Sequence, residues 1–235
     1  MTVCLQGGAE FSPGYRELDA ALIGRAGGPV VVSALAGAPG TDYATATANG
    51  VRHYRAVADA LEPDRGLGAG GRVAVLGAPD AREDRAGALA AIAGARLLVL
   101  PGGSPRRLLE ALTSTGVDEA LRSLLADGAT VVGSSAGAMV LCPWVVLPEQ
   151  GPPMLAPGLG LVPGVVVVPH WTGARQDWLD VVLADPRAGA AEVLGIPEDT
   201  GVVVDARGWT AVGRGPVRLV RAAEDLPAGD TRGLR

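Results

Sequence analysis

Short unbroken runs of Val and Leu alternate along this chain with longer stretches in which apolar residues recur every three or four positions. Apolar runs at 3–5, 29–35, 72–76, 97–100 and 129–132 each end in Gly or Pro within a few residues. Continuous runs, rather than strict alternation, predict strands buried on both faces of a parallel sheet. Residues 80–95 are rich in Ala and Arg, and 117–126 places Leu121, Leu124 and Leu125 on one side, so both predict helices. Strand, turn and helix in repetition describe an α/β sheet covered on both faces.

The rhythm changes after residue 135. The Pro- and Gly-rich stretch 143–157 reads as a loop or hairpin, 165–168 as a buried strand and 176–183 as a helix. Segments 201–205, 210–212 and 217–220 read as short antiparallel strands, and the polar tail from 222 is expected to fray. The run 66–71 is expected to be a flexible loop, because it lacks the spacing of a nucleotide fingerprint. No repeat or linker divides the 235 residues. The expectation is one three-layer α/β domain over 1–235, with a mostly parallel sheet flanked by helices and short antiparallel strands near the C-terminus.

Composition narrows the class. Hydrophobic residues make up 48% and charged residues 19%, which suits a packed globule and excludes a disordered chain. A net charge of −5 gives no reason to hold nucleic acid or an anionic membrane. All 20 cations are Arg, a codon-bias signature without functional content. Cys4 and Cys142, with two histidines, leave little scope for a disulfide framework or a zinc site, and no metal or cofactor is expected. No run reaches 18 apolar residues, and the start lacks the pattern of a secretory signal, so a cytoplasmic protein is expected.

The chemistry concentrates at Gly133-Ser134-Ser135-Ala136-Gly137-Ala138. Gly133-x-Ser135-x-Gly137 between a strand and a helix fits a nucleophile elbow, in which small flanking residues let the helix pack close and expose the hydroxyl. A serine nucleophile needs a base. His53 lies mid-helix among arginines and reads as a solvated surface residue, whereas His170 ends a buried Val run at the sheet edge where such sites collect.

At these residues the chain resembles peptidase family S51, whose members include aspartyl dipeptidases and cyanophycinases on a class I glutamine amidotransferase-like fold. Leu98-Val99-Leu100-Pro101-Gly102-Gly103, the elbow, Pro169-His170-Trp171 and Gly195-Ile196-Pro197-Glu198-Asp199-Thr200 are similar to four family blocks in the same order, across roughly residues 70–205. The resemblance implies Ser135 as nucleophile, His170 as general base, and the backbone N–H groups of Gly103 and Ala136 as the oxyanion hole. It implies Glu198 as the acid that orients His170, with Glu149 as its rival. Gly102 and Arg175 are assigned to substrate binding. Ser104-Pro105 departs from the Asn that often follows the family's Gly-Gly turn. The expected reaction is hydrolysis of an amide in a small peptide, possible substrates being an Asp-containing dipeptide or a cyanophycin-derived peptide. The alternative is a non-catalytic binding or regulatory domain on the same fold. A homodimer is compatible with the sequence.

Overall fold

A computed structural model describes residues 1–65, 72–148 and 151–233. The run 66–71 and Glu149 lie outside the described residues. The first half of the chain runs β1 (Thr2–Gln6), α1 (Arg16–Ala26), β2 (Val30–Val32), α2 (Thr41–Arg65), β3 (Val75–Gly77), α3 (Arg85–Ala93) and β4 (Leu97–Leu100). It continues through α4 (Pro105–Thr115), α5 (Val117–Ala126), β5 (Thr130–Ser134) and α6 (Ala136–Leu141). The second half holds β6 (Trp144–Leu147), β7 (Met154–Pro157), β8 (Val165–Pro169), α7 (Gln176–Ala184) and β9 (Glu192–Ile196). It ends with β10 (Thr200–Asp205), β11 (Gly208–Gly213), β12 (Val217–Leu219), β13 (Glu224–Leu226) and β14 (Thr231–Arg232).

The main sheet has the order β14-β11-β10-β1-β5-β4-β2-β3. The strands from β1 to β3 are parallel, and β10, β11 and β14 join antiparallel at the β1 side. Successive strand residues point to opposite faces, and the two cores divide accordingly. Cys4, Val30, Val32, Leu97, Val99 and Val132 pack with Leu22, Ile23, Tyr54 and Val57 of α1 and α2. Val3, Leu5, Val31, Leu98, Leu100 and Val131 pack with Ile92, Leu108, Leu112, Leu121 and Leu125 of α3, α4 and α5. Each fully buried Leu or Val contributes roughly 1.5–3 kcal/mol, so the Val/Leu runs serve both cores.

Four expectations shift. The helix expected over 80–95 begins at Arg85, because Asp80 accepts hydrogen bonds from Arg82 N at 3.0 Å and Nε at 2.8 Å and closes a turn first. Asp84 then caps α3 through Gly87 N at 2.9 Å. The strand expected over 29–35 stops at Val32, and the chain turns where Gly37 N donates to Ala34 O. Strands β8, β9, β12 and β13 form a separate four-stranded sheet rather than extending the first. The tail does not fray throughout: β13 pairs with β12, and β14 with β11.

His53 is also not a solvated residue. Its side chain is 8% exposed and its Nε2 lies 2.7 Å from Asp19 Oδ2, in a buried cluster completed by Gln6 and Tyr54.

Candidate active site

Strand β5 delivers Ser135 at its carboxyl end. Gly133 has no room for a side chain, since a Cβ there would lie 2.5 Å from Gly137 backbone. Gly137 likewise presses on Leu100 O, where a Cβ would sit at 2.1 Å. With helix and strand this close, Ser135 takes φ 48° and ψ −110°, a conformation that costs of order 1–3 kcal/mol and persists because its surroundings hold it. Ser135 N donates to Gln6 O at 2.9 Å, which ties the elbow to the end of β1.

His170 follows β8 and also has positive φ, 50°. Its N–H donates to Gly7 O at 2.7 Å. The ring lies over Gly8, where a Cβ would come within 2.2 Å of Cε1, so a side chain there would displace the imidazole. Ser135 Oγ lies 3.0 Å from His170 Nε2, and His170 Nδ1 lies 2.9 Å from Glu198 Oε1. With Nδ1–H donating to the carboxylate, Nε2 is free to accept the serine proton. Glu198 stands in the loop between β9 and β10, and its side chain is 58% exposed.

The Gly-Gly turn after β4 lies beside the elbow. A Cβ on Gly102 would be 3.1 Å from Ser135 Cβ. Gly103, at φ 138°, packs on Ala36, whose O would be 2.8 Å from any Cβ there. Among the described residues, no protein acceptor takes the N–H of Gly103 or of Ala136, the first residue of α6. Two unclaimed backbone donors flanking a serine can receive a developing oxyanion. Ser104 caps α4 by accepting from Arg107 N at 3.2 Å, with Pro105 opening the helix. The departure at Ser104-Pro105 thus supplies a helix start.

The fold therefore brings Ser135, His170, Glu198, Gly102, Gly103 and Ala136 to one edge. Arg175 precedes α7, with its guanidinium 4.9 Å from the centre of the Trp178 ring, and among the described residues it makes no hydrogen bond or ion pair with Ser135, His170 or Glu198. Burial pushes the Cys142 thiol up to about 12, and the Cys4 thiol is also raised by burial, so neither resembles an activated nucleophile. Among the described residues, no group of three or more His, Cys, Asp or Glu is placed to hold a metal ion.

Two features of this edge carry no signal in the sequence beyond a strand ending in glycines. One is Gly7-Gly8, which makes room for His170 and for the backbone after β9. The other is Glu10, whose Oε1 accepts from Gly102 N at 2.9 Å and whose Oε2 accepts from Ser134 Oγ at 3.2 Å.

Comparison with known proteins identifies the chain's family and fold. The family model described as peptidase family S51 matches residues 69–212. A curated relative, peptidase E from Nostoc sp., is 26% identical over 147 residues, covering 57% of this chain and 59% of its own length. A solved peptidase from an acI-B1 actinobacterium superimposes with a TM-score of 0.78 at 22% identity, over 99% of this chain and 96% of the other. A Listeria monocytogenes structure described as a candidate peptidase E gives 0.59 at 14% identity, over 91% and 98%.

Proposed function

The chain belongs to peptidase family S51, and on that footing we propose that it is a serine-type peptidase hydrolysing an amide bond in a small peptide. The observation that carries this reading is the unbroken series Ser135 Oγ, His170 Nε2, His170 Nδ1, Glu198 Oε1, with gaps of 3.0 Å and 2.9 Å. Ser135 attacks the amide carbonyl while His170 takes its proton. The N–H groups of Gly103 and Ala136 stabilise the oxyanion, where one donor contributes about 10²–10³-fold in rate. Collapse expels the amine, protonated by His170. Water then attacks the acyl-enzyme with His170 as base, and the carboxylic acid leaves. Glu198 holds the ring tautomer and stabilises the imidazolium.

The proposed substrates are Asp-containing dipeptides or cyanophycin-derived peptides, as the resemblance of the sequence blocks implies. Among the described residues no helix is long and apolar enough to cross a membrane, and the proposed location is the cytoplasm. The test is a screen of Asp-X, β-Asp-Arg and unrelated dipeptides against the protein and its Ser135→Ala variant. Turnover is expected to fall roughly 10⁴–10⁶-fold in the variant with folding intact. Activity within tenfold of the parent would remove Ser135 as nucleophile. Failure of the parent to react with a fluorophosphonate at Ser135 would favour a non-catalytic binding domain.

A further inference from the structure

We infer that Asp19 is a positioning residue for the catalytic edge: through the Gln6 side chain it fixes the end of β1, on which both Ser135 and His170 rest. The inference depends on the hydrolase reading above and deepens it. Gln6, Asp19 and His53 all lie outside the region matched by the family model.

Three successive residues at the end of β1 support the site. Gln6 O accepts from Ser135 N at 2.9 Å, and Gly7 O accepts from His170 N at 2.7 Å. Gly8 lies against the imidazole, where a Cβ would meet Cε1 at 2.2 Å. The Gln6 side chain leaves the strand on the same face as Cys4, toward α1 and α2. There Gln6 Nε2 donates to Asp19 Oδ1 at 3.2 Å.

Asp19 stands on α1 with its side chain 2% exposed. Its Oδ1 also accepts from Tyr54 Oη at 3.1 Å, and its Oδ2 lies 2.7 Å from His53 Nε2, both partners belonging to α2. With its proton on Nε2, His53 donates to the carboxylate. Burial first, and the Asp19 charge second, raise the Tyr54 hydroxyl, so it stays a donor. The segment that follows Gly8 returns to the same cluster. The Phe11 ring lies 5.6 Å from the His53 ring and 6.3 Å from the Tyr54 ring, centre to centre. Residues 7–10 are therefore tied to one buried cluster at both ends, by Gln6 and by Phe11.

Taking a carboxylate out of water is costly, and an apolar side chain of similar size often leaves a fold equally or more stable. What a satisfied polar cluster supplies instead is a single arrangement. The bond from Gln6 to Asp19 has a length and a direction, so a shift of the strand end breaks it. The serine and histidine hang on adjacent carbonyls of that strand end, so their spacing depends on it. A misplacement of about 1 Å between reacting groups costs roughly 100-fold in rate.

The test measures Asp-Ala hydrolysis and fluorophosphonate labelling of Ser135 in the full chain and in Gln6→Met, Asp19→Ala and Asp19→Asn. Met fills the Gln6 space without the N–H. Asn keeps an oxygen for Gln6 and Tyr54 and turns an N–H toward His53. Val57→Ala, which opens a cavity in the same core, controls for lost stability. Gln6→Met and Asp19→Ala are expected to lower kcat and labelling together, by roughly 10-fold or more, with KM within about twofold. Asp19→Asn should recover most of the rate, and Val57→Ala should keep it. Where Asp19→Ala does not fold, Gln6→Met decides alone. Hydrogen exchange reads the same tie without turnover, because the Ser135 and His170 amides should exchange faster in Gln6→Met than in Val57→Ala. Parent rates in Gln6→Met, or an equal loss in Val57→Ala, would overturn the assignment and leave Asp19 as a group of the core alone. A parent that neither labels at Ser135 nor cleaves any dipeptide of the screen, yet whose Ser135 and His170 amides are loosened by Gln6→Met, would refute the hydrolase reading and retain this one.

Discussion

A serine hydroxyl in water is a poor nucleophile, and in the proposed mechanism the placement of one imidazole changes that. His170 is fixed by its N–H on Gly7 O and by the absence of a side chain on Gly8, and its outer nitrogen meets Glu198. Because the Glu198 side chain is 58% exposed, water competes for its carboxylate and softens its electrostatic effect. Glu198→Gln is expected to lower turnover by roughly 10²–10⁴-fold, with little change in unfolding midpoint, because a misplaced tautomer is the main loss. Glu149→Gln is the matched comparison, and an equal loss there would move the acid assignment to Glu149. Ser135 and His170 were legible in the sequence because an elbow and a histidine closing a Val run are local patterns. Glu10 was not, because a carboxylate just after two glycines resembles any loop acid until Gly102 folds onto it. His53 was misjudged because flanking arginines say nothing about which face of a helix turns inward toward Asp19.

At the scale of elements, strand β4 and helix α5 match the expected bounds of 97–100 and 117–126, since Gly or Pro bounds one and a Leu stripe defines the other. Side chains that hydrogen-bond their own backbone blurred other bounds, as Asp80 does at the start of α3. Asp205 does the same between β10 and β11. Its buried carboxylate accepts from Arg207 N at 2.9 Å, Arg207 Nη2 at 2.9 Å and Arg25 Nη2 at 2.9 Å. It is held well below the usual carboxylate range, first by the Arg207 guanidinium, with burial opposing, and then by the Arg207 N–H and Arg25. A carboxylate with a depressed folded pKa adds stability above its unfolded value, near 3.9, and loses it as pH falls below that toward the folded value. Asp205→Asn is therefore expected to cost about 1–3 kcal/mol at pH 7, toward the low end because Arg207 is largely exposed. The deficit should shrink as pH falls below about 4. Denaturant unfolding at pH 7 and pH 3 checks this, and an equal deficit at both would show that the charge is not the cause.

At the scale of the whole molecule, the proposed site is a seam between two sheets. The main sheet carries Ser135 after β5, while the four-stranded sheet carries His170 after β8 and leads into Glu198 after β9. The sequence showed β8, β10, β11 and β12 but neither β9, β13 and β14 nor the separation of the two sheets, because pairing between β8, β9 and β12 is set by distant partners rather than by a local signal. One hydrogen bond at Gly7 crosses the seam, Gly7 O accepting from His170 N at 2.7 Å, while Gly7 N continues the β1–β10 pairing by donating to Thr200 O at 2.9 Å. A Cβ on Gly7 would lie 2.1 Å from Pro197 O and 2.3 Å from Ile196 O, both backbone atoms that cannot rotate aside. Gly7→Ala must therefore push the loop after β9 away from β1, carrying His170 and Glu198 off Ser135. Overpacking of this kind costs typically about 1–3 kcal/mol, so the protein should remain folded while a shift of about 1 Å lowers turnover by roughly 100-fold. Gly94→Ala is the comparison, since a Cβ there meets its nearest neighbours at an ordinary 3.6 and 3.8 Å. Fluorophosphonate labelling of Ser135, which depends on His170, should slow in Gly7→Ala and not in Gly94→Ala. Equal labelling rates would mean that the seam yields without moving the histidine, and that the two sheets are not what sets the Ser135–His170 distance.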